Sequence, residues 1–125
     1  MKRLIETSFA PAAIGPYSQA VSAGGLVFTS GQLPVDPRTG AAPDGIAAQT
    51  RQSLENIKAI LAEAGIGMDH IVKTTVFLND MDNFAAMNEV YSGFFEKGRC
   101  PARSAVEVAR LPKDALVEIE AMAWI

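Results

Sequence analysis

The chain has one cysteine and one histidine among its 125 residues, and these two scarcities exclude several kinds of protein. A single cysteine rules out an intramolecular disulfide, and one histidine with one cysteine cannot assemble a zinc site of the usual type within one chain. No apolar run approaches the length of a membrane span. Positive charge is not in excess either: 11 Lys and Arg stand against 14 Asp and Glu, for a formal net charge of -3. General affinity for nucleic acid needs a basic surface that releases counterions, so nucleic acid is not an expected partner. Lys2, Arg3, Arg51, Lys58, Lys73 and Lys97 are scattered and lack the interleaved aromatics of a stacking platform. Met1 to Glu6 is short and mixed in charge, unlike a signal peptide. The default expectation is a soluble protein of a reducing compartment, most simply the cytoplasm.

What is present fits one domain spanning 1–125. A chain of this length buries roughly two thirds of its unfolded surface and needs neither disulfide nor metal to fold. Short apolar runs alternate with two amphipathic stretches. Leu4 and Ile5, Tyr17 to Ser22 and Leu26 to Ser30 read as strands, the last two joined through Gly24 and Gly25. After a loop rich in Pro and Gly, Asp44 is positioned to cap a helix bearing Ile46, Thr50, Leu54, Ile57, Leu61 and Ala64, and Gly65 and Gly67 stop it. Ile71 to Leu78 is a β-branched strand. Asp80 or Asp82 then caps a helix with Phe84, Met87, Tyr91 and Phe94 on one stripe, ended by Gly98. Two further strands close an order that reads as α+β, with both helices on one face of a single mixed sheet.

The stretch from Pro101 to Pro112 carries the most chemistry. Arg103, Ala105, Glu107 and Ala109 point one way along a strand, while Ser104, Val106 and Val108 point the other. An arginine held this way presents a planar fork of donors that suits a carboxylate. In the final strand, Leu116 to Ile125, one face is wholly apolar and the other carries Leu116, Glu118, Glu120, Met122 and Trp124. If the strands pair with Val106 and Ile119 toward the helices, Arg103 and Glu118 share the opposite side, a clamp beside a base. Leu116, Met122, Trp124 and Ile71 or Val72 would leave that face more apolar than a monomer usually exposes, so association is expected.

At the other end, Ala13 to Ala20 contain a Gly-Pro turn, and Ser30 and Gly31 end a strand. With Ile14 to Tyr17, Thr29 to Gln32, Lys73 to Phe77, Pro101 to Ser104 and Val106 to Asp114, the chain closely resembles, over essentially its whole length, the RidA family of reactive intermediate deaminases, also called YjgF or UK114. The resemblance implies a chorismate-mutase-like fold and a homotrimer whose sheets line a central barrel. Its sites would lie in clefts between subunits, with Arg103 and Tyr17 donated by different chains. It further implies hydrolysis of 2-imino acids and their enamine tautomers, such as 2-iminobutanoate and 2-iminopropanoate, to 2-keto acids and ammonia, without cofactor or metal.

On that basis Arg103 grips the substrate carboxylate and Glu118 handles water and the departing nitrogen. Tyr17, Ser30, Gly31 and Asn88 complete the substrate pocket. Many relatives carry a cysteine two positions after the clamp arginine; here the residue is Ala105, which can act only through its backbone, and the only thiol, Cys100, precedes Pro101. Plainer readings stand beside these. Arg103 can be a structural partner of Glu107 or Glu118, Glu118 a partner and not a base, Tyr17 a strand aromatic, and Asn88 a surface amide. Two other functions remain alternatives: an endoribonuclease or translation inhibitor, and a keto-acid-binding regulatory trimer without turnover. His70 is expected in solvent at a loop end, and Cys100 half-buried.

Overall fold

The computed structural model describes residues 1–125. Six strands form one sheet: β1 (Arg3–Ile5), β2 (Ala20–Ala23), β3 (Leu26–Thr29), β4 (Ile71–Leu78), β5 (Ala102–Glu107) and β6 (Val117–Trp124). Helix α1 (Ile46–Glu63) lies between β3 and β4, and α2 (Phe84–Ser92) between β4 and β5. The sheet order is β1-β2-β3-β6-β4-β5, antiparallel except for the β4–β5 pair. The order of elements and the α+β architecture are those expected from the sequence.

Both helices cover the same sheet face. The apolar positions of α1 place Leu54, Ile57, Ile60 and Leu61 in one buried cluster with Met87 and Tyr91 of α2 and with Val117, Ile119, Ala121 and Ala123 of β6. Fully burying a side chain of this size contributes about 1.5–3 kcal/mol, so this layer is the main source of stability. The strict alternation of β6 leaves Glu118, Glu120, Met122 and Trp124 on the other, open face. Leu4, Val72 and Val106 are also exposed, and Trp124 retains half its surface. The unpartnered apolar face expected from the sequence is therefore present, with Val72 and not Ile71, which is buried, and without Leu116, which is half-buried and precedes β6.

Several local expectations are corrected. Tyr17 to Gln19 are irregular, and the strand begins only at Ala20. Asp44 makes no cap; α1 starts after Gly45, whose φ of 88° favours glycine. Asp80 does cap, but it accepts from the Asp82 N–H at the start of a short 3-10 turn preceding α2. That helix ends at Ser92, so Phe94 packs on the core from the following loop and Gly98 serves only a turn. His70 is not free in solvent: its ring stacks on Trp124 at 4.0 Å, with Nδ1 2.9 Å from the Trp124 carbonyl oxygen. Cys100 is exposed rather than half-buried.

Candidate active site

The largest correction concerns the faces of β5. Arg103 registers with the fully buried Thr74, and both lie on the helix-covered side. Val106 is exposed on the open side, in register with Phe77, which also pairs with Glu118. Arg103 and Glu118 are therefore on opposite faces of the sheet, with β4 between their strands. Alternation correctly divides the strand into two sets; it cannot say which set meets a helix. The deciding factor is α2, which presents an aromatic and amide surface suited to a guanidinium and not to a valine.

That surface builds the first half of the site. Phe84, Asn88 and Tyr91 follow an i, i+4, i+7 pattern and so share one face of α2. The Arg103 guanidinium carbon lies 4.7 Å from the Tyr91 ring centroid and 5.3 Å from that of Phe84, within the range of cation–π attraction. Arg103 Nη1 donates to Asn88 Oδ1 at 2.7 Å. Tyr91 is itself fixed by a 2.7 Å hydrogen bond to Thr74, and burial pushes its phenol pKa up. The ion pairs of the chain are Arg38–Asp36, Arg99–Glu96 and Arg110–Asp114, so Arg103 is not neutralised by a carboxylate. Glu107 accepts from the Met81 N–H instead. The guanidinium is thus held by neutral partners and keeps donors for an outside acid.

Ala105 packs beside Arg103 against the core. Val108 N–H donates to Leu78 O; strand alternation then turns the N–H and C=O of Arg103 and Ala105 toward the free edge of the sheet. Alanine in place of the frequent cysteine leaves those backbone groups unchanged.

The second half is a trough of about 460 Å³ on the other side, lined by Ile14, Tyr17, Ser30, Gly31, Pro112, Lys113 and Glu118 among others. Glu118 is partly buried, and this desolvation, followed by repulsion from Glu120, raises its carboxyl pKa above the ordinary range. Gly31 makes room for it: a Cβ here would collide with the Glu118 carboxylate and lie 2.9 Å from its Cδ. Close approach, not flexibility, is what glycine supplies at this position.

The loop bearing Tyr17 is fixed by a residue that sequence reasoning missed. Gln19, 3% exposed, accepts from Thr7 N–H and donates to the carbonyls of Thr7, Ala10 and Pro11. Ser30 lines the trough, but its hydroxyl donates to Ser18 O at 2.6 Å, bracing the same loop. On α1, Asn56 donates to Leu33 and Val35 carbonyls, while Gln49 links Pro43 to Leu116. Polar residues at helical spacing normally signal a solvated face, so nothing in the sequence marks these amides as buried struts. The Phe84, Asn88, Tyr91 spacing was the signal available for the clamp's aromatic bed.

The arrangement defines a class: a small α+β protein with an arginine held by neutral partners on one sheet face and a glutamate in a largely apolar trough on the other. Similarity to known proteins narrows this. A family model described as Endoribonuclease L-PSP matches residues 7–125. A 2-iminobutanoate/2-iminopropanoate deaminase of Salmonella typhimurium is 57% identical over 125 residues, 98% of each chain. The protein of that name from Escherichia coli K12 is 55% identical, again over 98% of each. Two solved E. coli structures superimpose with a TM-score of 0.94 over 98% of each chain: the YjgF gene product at 55% identity and TdcF with bound serine at 53%. The chain belongs to this family, the RidA (YjgF/UK114) family.

Proposed function

We propose that this protein hydrolyses reactive 2-imino acids and their enamine tautomers, 2-iminobutanoate and 2-iminopropanoate among them, to 2-keto acids and ammonia. The sites are clefts between copies of the chain, in a homotrimer that covers the open sheet faces. One observation carries this reading. Arg103 with Asn88 and Glu118 with Tyr17 and Gly31 are each fully built, yet they face opposite ways in a single chain. Only a second copy brings a clamp to a trough. The exposed Val72, Val106, Met122 and Trp124 supply apolar surface for that contact. The bound serine of TdcF is an amino acid whose carboxylate suits such a clamp.

In the cleft, Arg103 of one copy takes the substrate carboxylate, oriented by Asn88 and by its aromatic bed. Glu118 of the next copy removes a proton from water as the oxygen bonds to the imine carbon. The same carboxyl returns that proton to nitrogen, giving a carbinolamine; it then takes the hydroxyl proton and passes it to nitrogen as the C=O bond forms and the C–N bond breaks, so that ammonia leaves the 2-keto acid; no oxidation or cofactor is involved. A carboxyl with a raised pKa is suited to these transfers. The imine is already electrophilic, so modest assistance suffices. A single exposed thiol fits a reducing compartment such as the cytoplasm.

The test is to generate 2-iminobutanoate with a threonine dehydratase and follow 2-oxobutanoate. Acceleration over buffer is expected, and its absence removes the proposal. The endoribonuclease reading attached to the family's description has little support in these residues. The one histidine is stacked on Trp124, with Nδ1 against a carbonyl, and no group of basic side chains lines the trough. RNA cleavage by purified Arg103→Ala protein would revive it. No membrane is involved in the proposal, and no helix is long and apolar enough to cross one.

A further inference from the structure

The turn leading into β6 contains two consecutive non-glycine residues in the left-handed region, Lys113 at φ 58° and Asp114 at φ 54°. Such strain persists only where the surroundings impose it, and it concentrates at functional sites. Here the buried Leu111 and Ala115 anchor both ends, and the Leu116 N–H donates to Gln49 Oε1. Glycine would adopt this backbone more easily at position 113, so a lysine there points to a use for its side chain. Asp114 turns to Arg110 at 3.5 Å, while Lys113 makes no ion pair or side-chain hydrogen bond.

Its location indicates that use. Lys113 is the only lysine or arginine among the residues that line the Glu118 trough, whose exposed lining is mainly apolar. It also lines an adjoining groove of about 770 Å³ that continues past Ile14 to Phe9. Lys113 therefore stands where the trough opens into the groove. On the deaminase reading proposed above, on which this rests, the imine carbon lies by Glu118 and the substrate's side chain extends along the trough.

We infer that Lys113 is a specificity-determining residue: its ammonium receives a carboxylate at the end of the substrate's side chain, so that 2-imino dicarboxylic acids are substrates alongside short apolar 2-imino acids. The reaction is the same hydrolysis, in which water oxygen becomes the keto oxygen and nitrogen departs as ammonia. The distal carboxylate changes only binding.

The experiment compares 2-iminosuccinate, made from D-aspartate by D-aspartate oxidase, with 2-iminopropanoate, made from D-alanine by D-amino-acid oxidase. Catalase is present, and deaminase activity is read as suppression of semicarbazone formation. Lys113→Gln should lower the ratio of kcat/KM for 2-iminosuccinate over 2-iminopropanoate about 2- to 5-fold, the scale of an exposed ion pair. The loss should fall on KM rather than kcat. Lys113→Arg should keep the ratio, and added salt should lower it in the parent protein. Lys113→Gly separates charge from backbone: it should lose the same selectivity while raising Tm. An unchanged ratio in Lys113→Gln, or no turnover of 2-iminosuccinate by a parent protein active on 2-iminopropanoate, overturns the inference alone. Turnover of neither imine would overturn the deaminase reading with it.

Discussion

The two halves of the site are built by different means. The clamp is compact: Phe84, Asn88, Tyr91 and Arg103 lie within 20 positions of one another, and one helix and one edge strand suffice to hold them. The trough is assembled from distant segments, with Tyr17, Gly31 and Glu118 converging through loops that Gln19 and Asn56 tie down. A cation fixed by neutral partners keeps its charge available to a ligand. A carboxylate beside another carboxylate and partly out of water keeps a proton within reach. The first half is suited to binding and the second to proton transfer, and substitutions should separate them.

The largest effect is expected for Glu118→Gln. Loss of a general base typically costs about 10²–10⁴-fold in kcat, with 2-oxobutanoate binding retained when measured by calorimetry; turnover equal to that of the parent would remove Glu118 as the base. The parent's kcat/KM should fall as pH drops through the raised Glu118 pKa, because only the ionised carboxylate accepts the proton from water. Stability has the opposite sign. A carboxyl whose pKa is raised by folding favours the native state below its unfolded pKa, and that contribution is lost as pH rises through the native value. Glu118→Gln should therefore be at least as stable as the parent near pH 7 in thermal melts, with the gain gone at acid pH.

Arg103→Ala comes next, with kcat/KM about 10- to 150-fold lower, the equivalent of about 1.5–3 kcal/mol for a charged hydrogen-bonded pair. Lysine at 103 should restore only part of this, since it lacks the fork and stacks less well; full rescue would mean the clamp acts as a simple point charge. Gly31→Ala tests the trough's geometry. It should displace Glu118 and lower kcat by about 10-fold or more, the scale attached to small misplacements of a reacting group, while 2-oxobutanoate still binds at Arg103. Gln19→Ala should show mainly in stability, costing about 1–3 kcal/mol through backbone groups left without partners, visible as a lower Tm. Asn88→Ala is the mildest, at about 1 kcal/mol for one hydrogen bond, or roughly fivefold in KM. An effect as large as that of Arg103→Ala would place Asn88 on the substrate itself.

The periodicity of the chain determined more than its loops did. Eight-residue β4, the apolar face of β6 and the buried stripe of α1 could be read directly, because period 2 and period 3.6 leave clear marks in a run of aliphatic residues. Tyr17 read as a strand residue because a tyrosine before alternating small residues has strand propensity; the Gln19 network holds it in a loop instead. His70 looked solvent-bound because its partner, Trp124, is 54 positions away. Arg103 and Glu118 stand out in the sequence as a strand-borne cation and a carboxylate on an otherwise apolar face, but their separation across the sheet does not.

What the sequence by itself determined is the inventory: which side chains can bind an acid or move a proton, which stripes must be buried, and that one face would be left wanting cover. Only the tertiary structure decided where these side chains point. A strand's alternation is symmetric with respect to its two faces, and that symmetry is broken by contacts with elements remote in the chain. Here α2 drew Arg103 to one side of the sheet, and Gly31 admitted Glu118 on the other.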